Sequence, residues 1–366
     1  MKNTMNWIPP ELLFEVLTHL PAKDLLKLRV VCKLWNSIIC DPSFHQHHLH
    51  QLHKNNIHGC EYYISSSSSS YLFRSVDIKS SETLATIEEI KLCKSHYDGG
   101  MNSIMGCVDG VLLARTVSRH GKNYVNVIFL WNPTLRKVVD IPLCGPLKKV
   151  CNDVRFGFGF DSVSNIYKVV AIYWKKNGLK IIVYNLGSRS WTSPKMDNVK
   201  HLPYSRTLNF EGCIYWHSKT EITSNKDADY YLCFNLSTEA LTCAKLPDRK
   251  CDEYLSIRRL AVLYESLAIV DDSGDEGSRR HIHVWMRRKD NTTSSEFSWV
   301  MLYNLDCYAK YFVYLANNGN LYLQEWSIPN TASVYDLKAG KEKVYSENNG
   351  YIKFMEGYLG SLALLT

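Results

Sequence analysis

Two different hydrophobic periods divide the chain near residue 60. From Ile8 to Leu49, apolar residues recur every three to four positions, which is the spacing of one face of an α-helix. From about residue 60 onward, apolar and polar residues alternate with a period of two, which is typical of β-strands. The pattern therefore predicts a small helical module followed by a larger all-β domain.

The helical stretch predicts three helices. The first lies between Pro9-Pro10 and Pro21, and two more follow, with a break expected near Arg29 to Val31. Asp41-Pro42 ends the last of them, because the residue before a proline is pushed out of the α region. The apolar positions are Ile8, Leu12, Leu13, Val16, Leu17, Leu20, Leu25, Leu28, Val31, Cys32, Trp35, Ile38 and Ile39.

So many large apolar side chains need a second surface. A bundle of some forty residues is too small to cover them by itself. That surface is either a partner protein or the downstream domain of the same chain, and the pattern alone leaves both open.

The same residues resemble an F-box. ELL, VL, LPAKDLL and LRVVCKLWNSIICDPSF follow the family pattern, with Ile8-Pro9 in place of leucine-proline and Lys23-Asp24 in place of lysine-serine. The resemblance implies docking onto an Skp-type adaptor and, through it, a cullin in an SCF ubiquitin ligase. The adaptor-binding residues implied are Ile8, Pro9, Leu12, Leu13, Val16, Leu17, Leu20, Pro21, Leu25, Leu28, Val31, Cys32, Trp35, Ile38 and Ile39.

The β region contains a repeat whose fixed member is an Asn or Asp. In each copy, a short strand ends at this Asn or Asp, and a polar turn and a second strand follow. The members are Asp77, Asn132, Asn185, Asn235 and Asp336, with one gap of double length. The missing member is expected at Met286, where a longer turn hides it. A second series of apolar hairpins lies between them, with turns near Gly110, Ser164, Gly212, Glu265 and Gly319.

Two hairpins in about fifty residues make a four-stranded propeller blade, and the β region holds about six such units. An outer-type hairpin at Tyr71 to Ile87 begins the domain and an inner-type hairpin at Tyr351 to Leu365 ends it, so the chain ends are predicted to complete one blade. A β-sandwich is the runner-up. The predicted class is α+β multidomain, with a helical domain over 1–50, a linker over 51–59 and a six-bladed kelch-like β-propeller over 60–366.

The β domain carries a second resemblance. LWNPTLRKVVDIP, FGFGFDSVSNIYKVV, VYNLGSRSW, EGCIYWHS and CFNLSTEAL are similar, in order and spacing, to the F-box-associated interaction domain of plant F-box proteins, among which are the S-locus F-box proteins. The resemblance covers nearly all of residues 60 to 366 and implies recognition of a target protein. The aromatic residues in and near these stretches are interpreted as blade-core residues rather than ligand-stacking ones. They are Trp131, Tyr184, Trp191, Trp216 and Trp299.

Composition and charge exclude several classes. The net charge of +7 comes from scattered basic pairs, not from the dense stripe of a nucleic-acid groove. The longest apolar runs are far shorter than a membrane span, and the N-terminus lacks a secretory signal pattern. Twelve cysteines without a CxxC pair favour reduced thiols. We expect a cytoplasmic and/or nuclear protein with neither nucleic acid nor membrane as a partner.

Several stretches invite a chemical interpretation that we weigh against a structural one. A histidine cluster lies at His45, His47, His48, His50 and His53. No Cys, Asp or Glu stands among these histidines, so a solvated helix face is favoured over a zinc site. GFGFD from Gly157 alternates as a strand does, and DDSGDEG from Asp271 has Glu276 where a calcium loop needs glycine, so an exposed acidic loop is expected.

No serine elbow, HExxH or phosphate loop occurs, so neither a cofactor nor enzymatic activity is predicted. The serine run Ser65 to Ser70 is expected to be a flexible segment, either a loop inside the first hairpin or a tether near the domain boundary. The predicted function is target recognition for an SCF-type ubiquitin ligase. The alternative is a β-propeller scaffold or ligand-binding protein that uses its helices only to dimerise.

The hairpin at Met286 is flanked by two charged loops, DDSGDEGSRRH and RRKDNTTSSE. We expect a basic edge there to contact an acidic target, although the two loops leave their hairpins at different points. Its residues are Arg279, Arg280, Arg287, Arg288 and Lys289.

Overall fold

Helices come first and strands follow in the computed structural model, as the hydrophobic period predicts. The structure describes residues 8–55, 61–67, 70–76, 90–91, 103–120, 123–148, 154–175, 178–194, 203–219, 229–248, 257–274, 279–289, 297–325, 331–346 and 352–364. The predicted turn at Asp77 and the carboxylates Asp275 and Glu276 lie outside the described residues.

The N-terminal module consists of α1 (Pro10–Thr18), α2 (Ala22–Leu28), α3 (Lys33–Ile39) and α4 (Pro42–Asn55). The predicted break near Arg29 to Val31 is confirmed, since α2 ends and α3 begins on either side of it. Asp41 caps α4, because its Oδ1 accepts hydrogen bonds from the backbone N–H of Ser43 (2.7 Å) and from its hydroxyl (2.6 Å). Residues 51–55 continue α4, so the first half of the predicted linker is helical. Nothing in QLHKN, which lacks glycine and proline, stops the helix there.

The described strands form six antiparallel four-stranded sheets. The first contains β1 (Glu61–Ser67), β2 (Ser70–Val76) and β3 (Ile90–Lys91) together with β24 (Ile352–Gly357). The second contains β4 (Ser103–Val108), β5 (Val111–His120), β6 (Asn123–Asn132) and β7 (Lys137–Ile141), and the third contains β8 (Val154–Asp161), β9 (Ile166–Lys175), β10 (Gly178–Asn185) and β11 (Ser190–Thr192). The fourth contains β12 (Pro203–Phe210), β13 (Cys213–Lys219), β14 (Asp229–Asn235) and β15 (Leu241–Lys245). The fifth contains β16 (Ile257–Leu263), β17 (Ser266–Gly274), β18 (Arg279–Lys289) and β19 (Phe297–Tyr308), and the sixth contains β20 (Lys310–Leu315), β21 (Asn320–Glu325), β22 (Thr331–Asp336) and β23 (Lys341–Ser346).

One strand at the edge of each sheet lies beside the corresponding strand of the next sheet, and β24 lies beside both β20 and β4. The all-β part is therefore a propeller. β24 pairs with β1, with Glu61 opposite Gly357, so the two chain ends share a sheet as predicted. The predicted division of that sheet is wrong, because the C-terminal end supplies one strand and not two. Residues 358–364 leave the sheet and bury Tyr358 and Leu362 elsewhere.

The serine run also differs from its prediction. Ser65, Ser66 and Ser67 belong to β1 and Ser70 begins β2. Ser65 lies opposite Leu72 in the ladder. Serine runs have no strong conformational preference of their own, so the backbone pairing offered by the neighbouring strand decides the outcome.

The recurring Asn or Asp of the repeat caps a turn between the third and fourth strands of a sheet. The Oδ1 atom of Asn185 accepts the N–H of Ser188 at 3.0 Å, and Oδ1 of Asn235 accepts the N–H of Thr238 at 2.9 Å. Asn132 and Asp336 make the same kind of bond. A short side chain that accepts a hydrogen bond from its own turn is the physical basis of this sequence repeat.

Asn132 does more than its counterparts, which leads to a prediction about stability. Its side chain is fully buried, and its Nδ2 donates to the carbonyl oxygens of Ser361 (3.1 Å) and Ala363 (2.8 Å). Asn132→Ala should lower the free energy of unfolding by roughly 2–3 kcal/mol, because buried carbonyls lose their donors, whereas Asn185→Ala should cost about 1 kcal/mol or less. Urea denaturation of the two variants checks this, and equal losses would contradict it.

The hairpin predicted at Met286 exists as β18 and β19, but its turn does not lie there. Met286 is inside β18, paired with Ala268 on one side and Val300 on the other, and the strand continues to Lys289. No Asn or Asp stands at Met286 to cap a turn, so the strand continues beyond the usual point.

The interpretation of the aromatic residues as core residues is confirmed. Trp131 and Tyr184 are 3% exposed and Trp216 is fully buried, while Trp191 and Trp299 are partly buried against the sheets' cores. GFGFD is strand β8, as predicted. A Cβ atom at Gly157 would lie 2.5 Å from the Trp216 ring, so the packing of neighbouring sheets explains this glycine better than a phosphate loop does.

Candidate functional site

The helical module has a buried face that packs on the propeller. Leu13, Leu17, Leu25 and Ile39 form a core with Phe44, and Leu362 of the C-terminal segment belongs to the same core. Leu135, in the turn between β6 and β7, packs against it. His53 Nε2 lies 3.1 Å from Oδ1 of Asp109, in the turn between β4 and β5. The downstream domain thus covers one face of the helices.

A second face of the module is apolar and exposed. Leu12 and Val16 lie one turn apart on α1, Ile8 precedes the helix, and all three are 57–59% exposed. Val30 (87%), Val31 (57%) and Leu34 (37%) add exposed apolar surface where α2 passes into α3. These six residues, which we call the exposed apolar set, are half of the exposed large hydrophobic residues in the described part of the chain. Such a concentration on a small module is typical of an interaction surface.

The structure divides the fifteen predicted adaptor-binding residues. Buried are Leu13, Leu17, Leu25 and Ile39, and half-buried are Leu20, Leu28, Trp35 and Ile38. Exposed are Ile8, Pro9, Leu12, Val16, Pro21, Val31 and Cys32. Val30 and Leu34 were not predicted, although Leu34 lies four positions before Ile38 and could have been found by the same spacing. The four buried residues cannot contact a partner without rearrangement of the module.

The histidine cluster is only partly the solvated face that was predicted. His47, His50 and His53 are exposed, but His48 is fully buried and stacks on Phe44 with 6.0 Å between ring centroids. Nε2 of His48 lies 2.8 Å from the carbonyl oxygen of Leu20, and Nε2 of His45 lies 2.8 Å from that of Ile39. These two imidazoles satisfy carbonyl groups at the ends of α1 and α3, a role that residue spacing alone does not reveal.

Burial lowers the pKa of His48 below its ordinary value of 6.5, and burial lowers that of His45 too. The unfolded chain therefore takes up protons more readily, so the stability of the protein should fall as the pH drops below about 6.5 and should not depend on these groups above it. The melting temperature of the wild type should therefore fall between pH 7.5 and 5.5. In His48→Gln it should fall by a smaller amount. His50→Gln, at an exposed position on the same helix, should keep the full decline. An unchanged decline in His48→Gln would contradict the assignment.

The predicted basic edge at β18 is not one surface. Arg279 begins the strand and Lys289 ends it, so these two residues lie roughly 33 Å apart along an 11-residue strand. Arg280 is buried, with its Nη2 2.8 Å from Oδ1 of Asp272, so its prediction as a target contact is wrong. The guanidinium carbon of Arg287 lies 4.2 Å from the centre of the Phe297 ring, and Arg288 is exposed.

The acidic segment is also not the exposed loop that was expected. Asp271 and Asp272 lie in β17 and are 2% and 0% exposed. Nη2 of Arg258 lies 2.8 Å from Oδ2 of Asp271, and its Nη1 lies 3.2 Å from Oδ2 of Asp229 in the neighbouring sheet. Asp272 accepts the N–H of Phe312 from the next sheet at 3.0 Å, and burial raises its pKa despite this bond and Arg280. These carboxylates join three sheets.

A second buried charge pair joins the third and fourth sheets. Nζ of Lys168 lies 3.1 Å from Oδ2 of Asp161 and 3.0 Å from Oε1 of Glu239. Burial by itself would raise the pKa of Asp161, but hydrogen bonds from Ser164, Ser237 and Lys168 hold it well below its ordinary range.

Within the described ranges no group of three His, Cys, Asp or Glu side chains could hold a metal ion, and no described helix is long and apolar enough to cross a membrane.

Comparison with family models decides what kind of protein carries this geometry. The F-box domain matches residues 5–47, and the F-box associated beta propeller domain matches residues 61–361. The chain belongs to the F-box-associated β-propeller family. The resemblance to plant F-box proteins is therefore confirmed, and the helical module is the F-box.

Relatives of this F-box protein include plant F-box proteins. The Arabidopsis thaliana F-box protein At3g21120 is 22% identical over 80% of this chain and 80% of its own. The Arabidopsis thaliana protein At3g52320 is 25% identical, and the match covers 66% of this chain but only 60% of that protein's length. The F-box/LRR-repeat/kelch-repeat protein At2g27520 of the same plant is 25% identical over 82% of this chain and 76% of its own. Among solved structures, TolB from Acinetobacter baumannii gives a TM-score of 0.44 at 11% identity over 86% of this chain and 71% of that one.

Proposed function

We propose that this protein is the substrate-recognition subunit of an SCF-type ubiquitin ligase, in which residues 1–50 bind an Skp-type adaptor and residues 60–366 bind a target protein. One observation carries the proposal. The F-box keeps the exposed apolar set uncovered although the propeller covers its other face. Exposed Leu and Val side chains on a module that is already anchored need a partner to exclude water from them.

The mechanism is proximity, and the protein makes and breaks no covalent bond itself. A target held on the propeller is presented to the conjugating enzyme at a high effective concentration, provided that the two domains are joined stiffly. The joint has the required contacts, because Leu362 lies in the F-box core and His53 reaches Asp109. Asp109 is fixed in turn by the hydroxyl of Tyr167 at 3.3 Å. We further infer that the six sheets are six blades of one ring.

The F-box contacts the end of the propeller where the turns after β4 and β6 emerge. Neighbouring sheets share this orientation, because their corresponding turns are in contact. For example, the hydroxyl of Ser237 donates a hydrogen bond to Oδ1 of Asp161. Arg288 lies at this end and Arg279 at the opposite one. We infer that the target binds the end away from the F-box, with Arg279 as a contact.

The described cysteines are free thiols, which supports a cytoplasmic and/or nuclear location.

Affinity capture from plant cells with the proteasome inhibited tests target recognition. The full chain should retain ubiquitinated proteins, and Arg279→Ser should weaken their capture while Arg288→Ser leaves it intact. The control is a surface variant that should no longer bind the adaptor, Leu12→Ala with Val16→Ala and Val31→Ala. It should still capture targets, but these targets should carry no added ubiquitin. Deleting residues 1–50 is a poorer control, because it uncovers Leu135 and Leu362. Failure of the full chain to enrich any ubiquitinated protein would contradict the proposal.

A further inference from the structure

The outer strand of each sheet, at the edge away from the neighbouring sheets, is protected against further pairing in all sheets but one. β3, β7, β15 and β23 have two to six residues and each contains a lysine, and β11 has only three residues. Short length and lysine are means by which native proteins keep an exposed sheet edge from pairing with another chain. β19 has neither. Its twelve residues, FSWVMLYNLDCY, contain no lysine, arginine or proline.

The outer edge of β19 is open in the part of the chain that the structure describes. β19 ends its sheet, and β18 is the one described strand that pairs with it. None of its twelve residues is buried, and Phe297 and Tyr308 at its two ends are 49% and 72% exposed. Its one charged residue, Asp306, has Oδ1 at 2.6 Å from Nδ1 of His281 in β18. A long strand edge with so little charge is a template for a further strand.

A bulge in β19 suits this edge to a second copy of itself. Trp285 and Val284 are neighbours in β18, but their partners in β19 are two positions apart, so Leu302 is an extra residue. In a regular strand of twelve residues, the first and last side chains point to opposite faces of the sheet. Such a strand could not pair antiparallel with its own copy over its full length, because opposing residues must share a face.

The extra residue brings both ends of β19 to one face. Phe297 lies opposite Lys289, and Tyr308 lies opposite Arg279. These two partners are ten positions apart in β18, so their side chains point to the same face, and those of Phe297 and Tyr308 do too. Full-length antiparallel pairing of β19 with its copy therefore keeps every opposing pair on a shared face.

We propose that the protein forms a homodimer in which the outer edges of two β19 strands pair antiparallel about a two-fold axis between Leu302 and Tyr303. The contact is isologous, so it closes at two copies and leaves no free edge for a third. β19 runs from the F-box end of the propeller to the opposite end. The antiparallel pairing therefore places the two F-boxes at opposite ends of the dimer.

Charge complementarity favours a second copy over an unrelated extended segment. In the proposed register Asp306 lies opposite Trp299 of the partner subunit, and the neighbour of Trp299 in β18 is Arg287. The guanidinium carbon of Arg287 lies 4.2 Å from the centre of the Phe297 ring, so this cation already extends over β19 toward the outer edge. The two-fold axis brings Arg287 and Asp306 of different copies together twice.

Sedimentation velocity of the purified full chain over a range of concentrations tests the proposal and should show a reversible monomer–dimer equilibrium. Asp306→Arg puts a cation beside Arg287 of the partner subunit, and Arg287→Asp puts a carboxylate beside Asp306 of the partner subunit. Each should weaken the dimer about tenfold or more. The combined variant should restore it. Asp140→Arg, at an exposed position of the outer strand β7, is the matched control and should have no effect.

Restoration by the combined variant can come only from a contact between copies. Within one chain Asp306 lies opposite His281, which is six positions from Arg287 and so about 20 Å away along β18. Melting followed by circular dichroism should show that all variants stay folded, because the changed side chains lie at the edge of the sheet and not in its core. Amides of β19 in the wild type should also exchange more slowly with deuterium as the protein concentration rises.

Several results would overturn the proposal. One is a chain that stays monomeric at every concentration at which it is soluble, and another is a dimer that the charge variants leave unchanged or that the combined variant does not restore. A monomeric wild type whose capture of ubiquitinated proteins is weakened by Asp306→Arg would assign the edge to an extended segment of the target instead. The outcome does not depend on adaptor binding, since β19 and the exposed apolar set share no residue.

Discussion

Replacing Leu12, Val16 and Val31 together by alanine is expected to reduce capture of an Skp-type adaptor by the full chain more than 100-fold. All three side chains are 57–59% exposed in the free protein, so their truncation removes apolar area that only a partner would bury. Burying a Leu or Val side chain contributes roughly 1.5–3 kcal/mol, and the loss of several such groups exceeds the roughly 3 kcal/mol that corresponds to a 100-fold change. The melting temperature should hardly change.

Two controls make this result interpretable. Val163→Ala, at an 82% exposed position in the turn between β8 and β9, should leave adaptor capture intact. Leu17→Ala removes a 1% exposed core residue and should lower stability by about 2–5 kcal/mol, so any loss of capture follows unfolding. Adaptor capture by the triple variant at the level of the wild type would rule out this surface as the docking site.

Arg258→Met is expected to destabilise the propeller more than any exposed arginine substitution, by about 3–5 kcal/mol, because it leaves buried charges without their partner. The Arg258 side chain is 1% exposed, and its guanidinium lies 2.8 Å from Oδ2 of Asp271 and 3.2 Å from Oδ2 of Asp229. It also donates to the carbonyl of Pro247 at 2.7 Å. Denaturant unfolding followed by circular dichroism measures the change.

The matched variant is Arg288→Met, which makes the same substitution at an exposed position of β18 and should cost less than about 0.5 kcal/mol. A loss below about 1 kcal/mol for Arg258→Met would mean that the buried ion pairs contribute little to stability. Asp271 would then fit the solvated loop that its sequence suggests.

The order of elements could be predicted from the sequence because local chemistry determines it. Pro21 and Asp41-Pro42 bound helices through backbone geometry that any context respects. The repeat could be found because its Asn or Asp bonds within its own turn, so each copy keeps the residue that the turn needs. These signals depend on residues that are close in sequence.

Burial could not be predicted, because it depends on residues that are distant in sequence. The sequence DDSGDEG indicates an exposed loop until Arg258, thirteen positions before Asp271, is brought opposite it by the ladder between β16 and β17. His48 resembles its exposed neighbours until α1 supplies the carbonyl of Leu20. The same reason explains why Tyr358 and Leu362 were assigned to a strand, since the surfaces that bury them come from the second sheet and the F-box.

Hydrogen–deuterium exchange of the purified full chain, with and without an Skp-type adaptor, tests whether the exposed apolar set is the docking surface. We expect a stoichiometric complex in which amide protection increases in residues 10–18 and 28–34, near the exposed apolar set, while amides of β4–β23 hardly change. No complex, or a complex whose protection lies on the propeller and not in these helices, would contradict adaptor docking through the F-box.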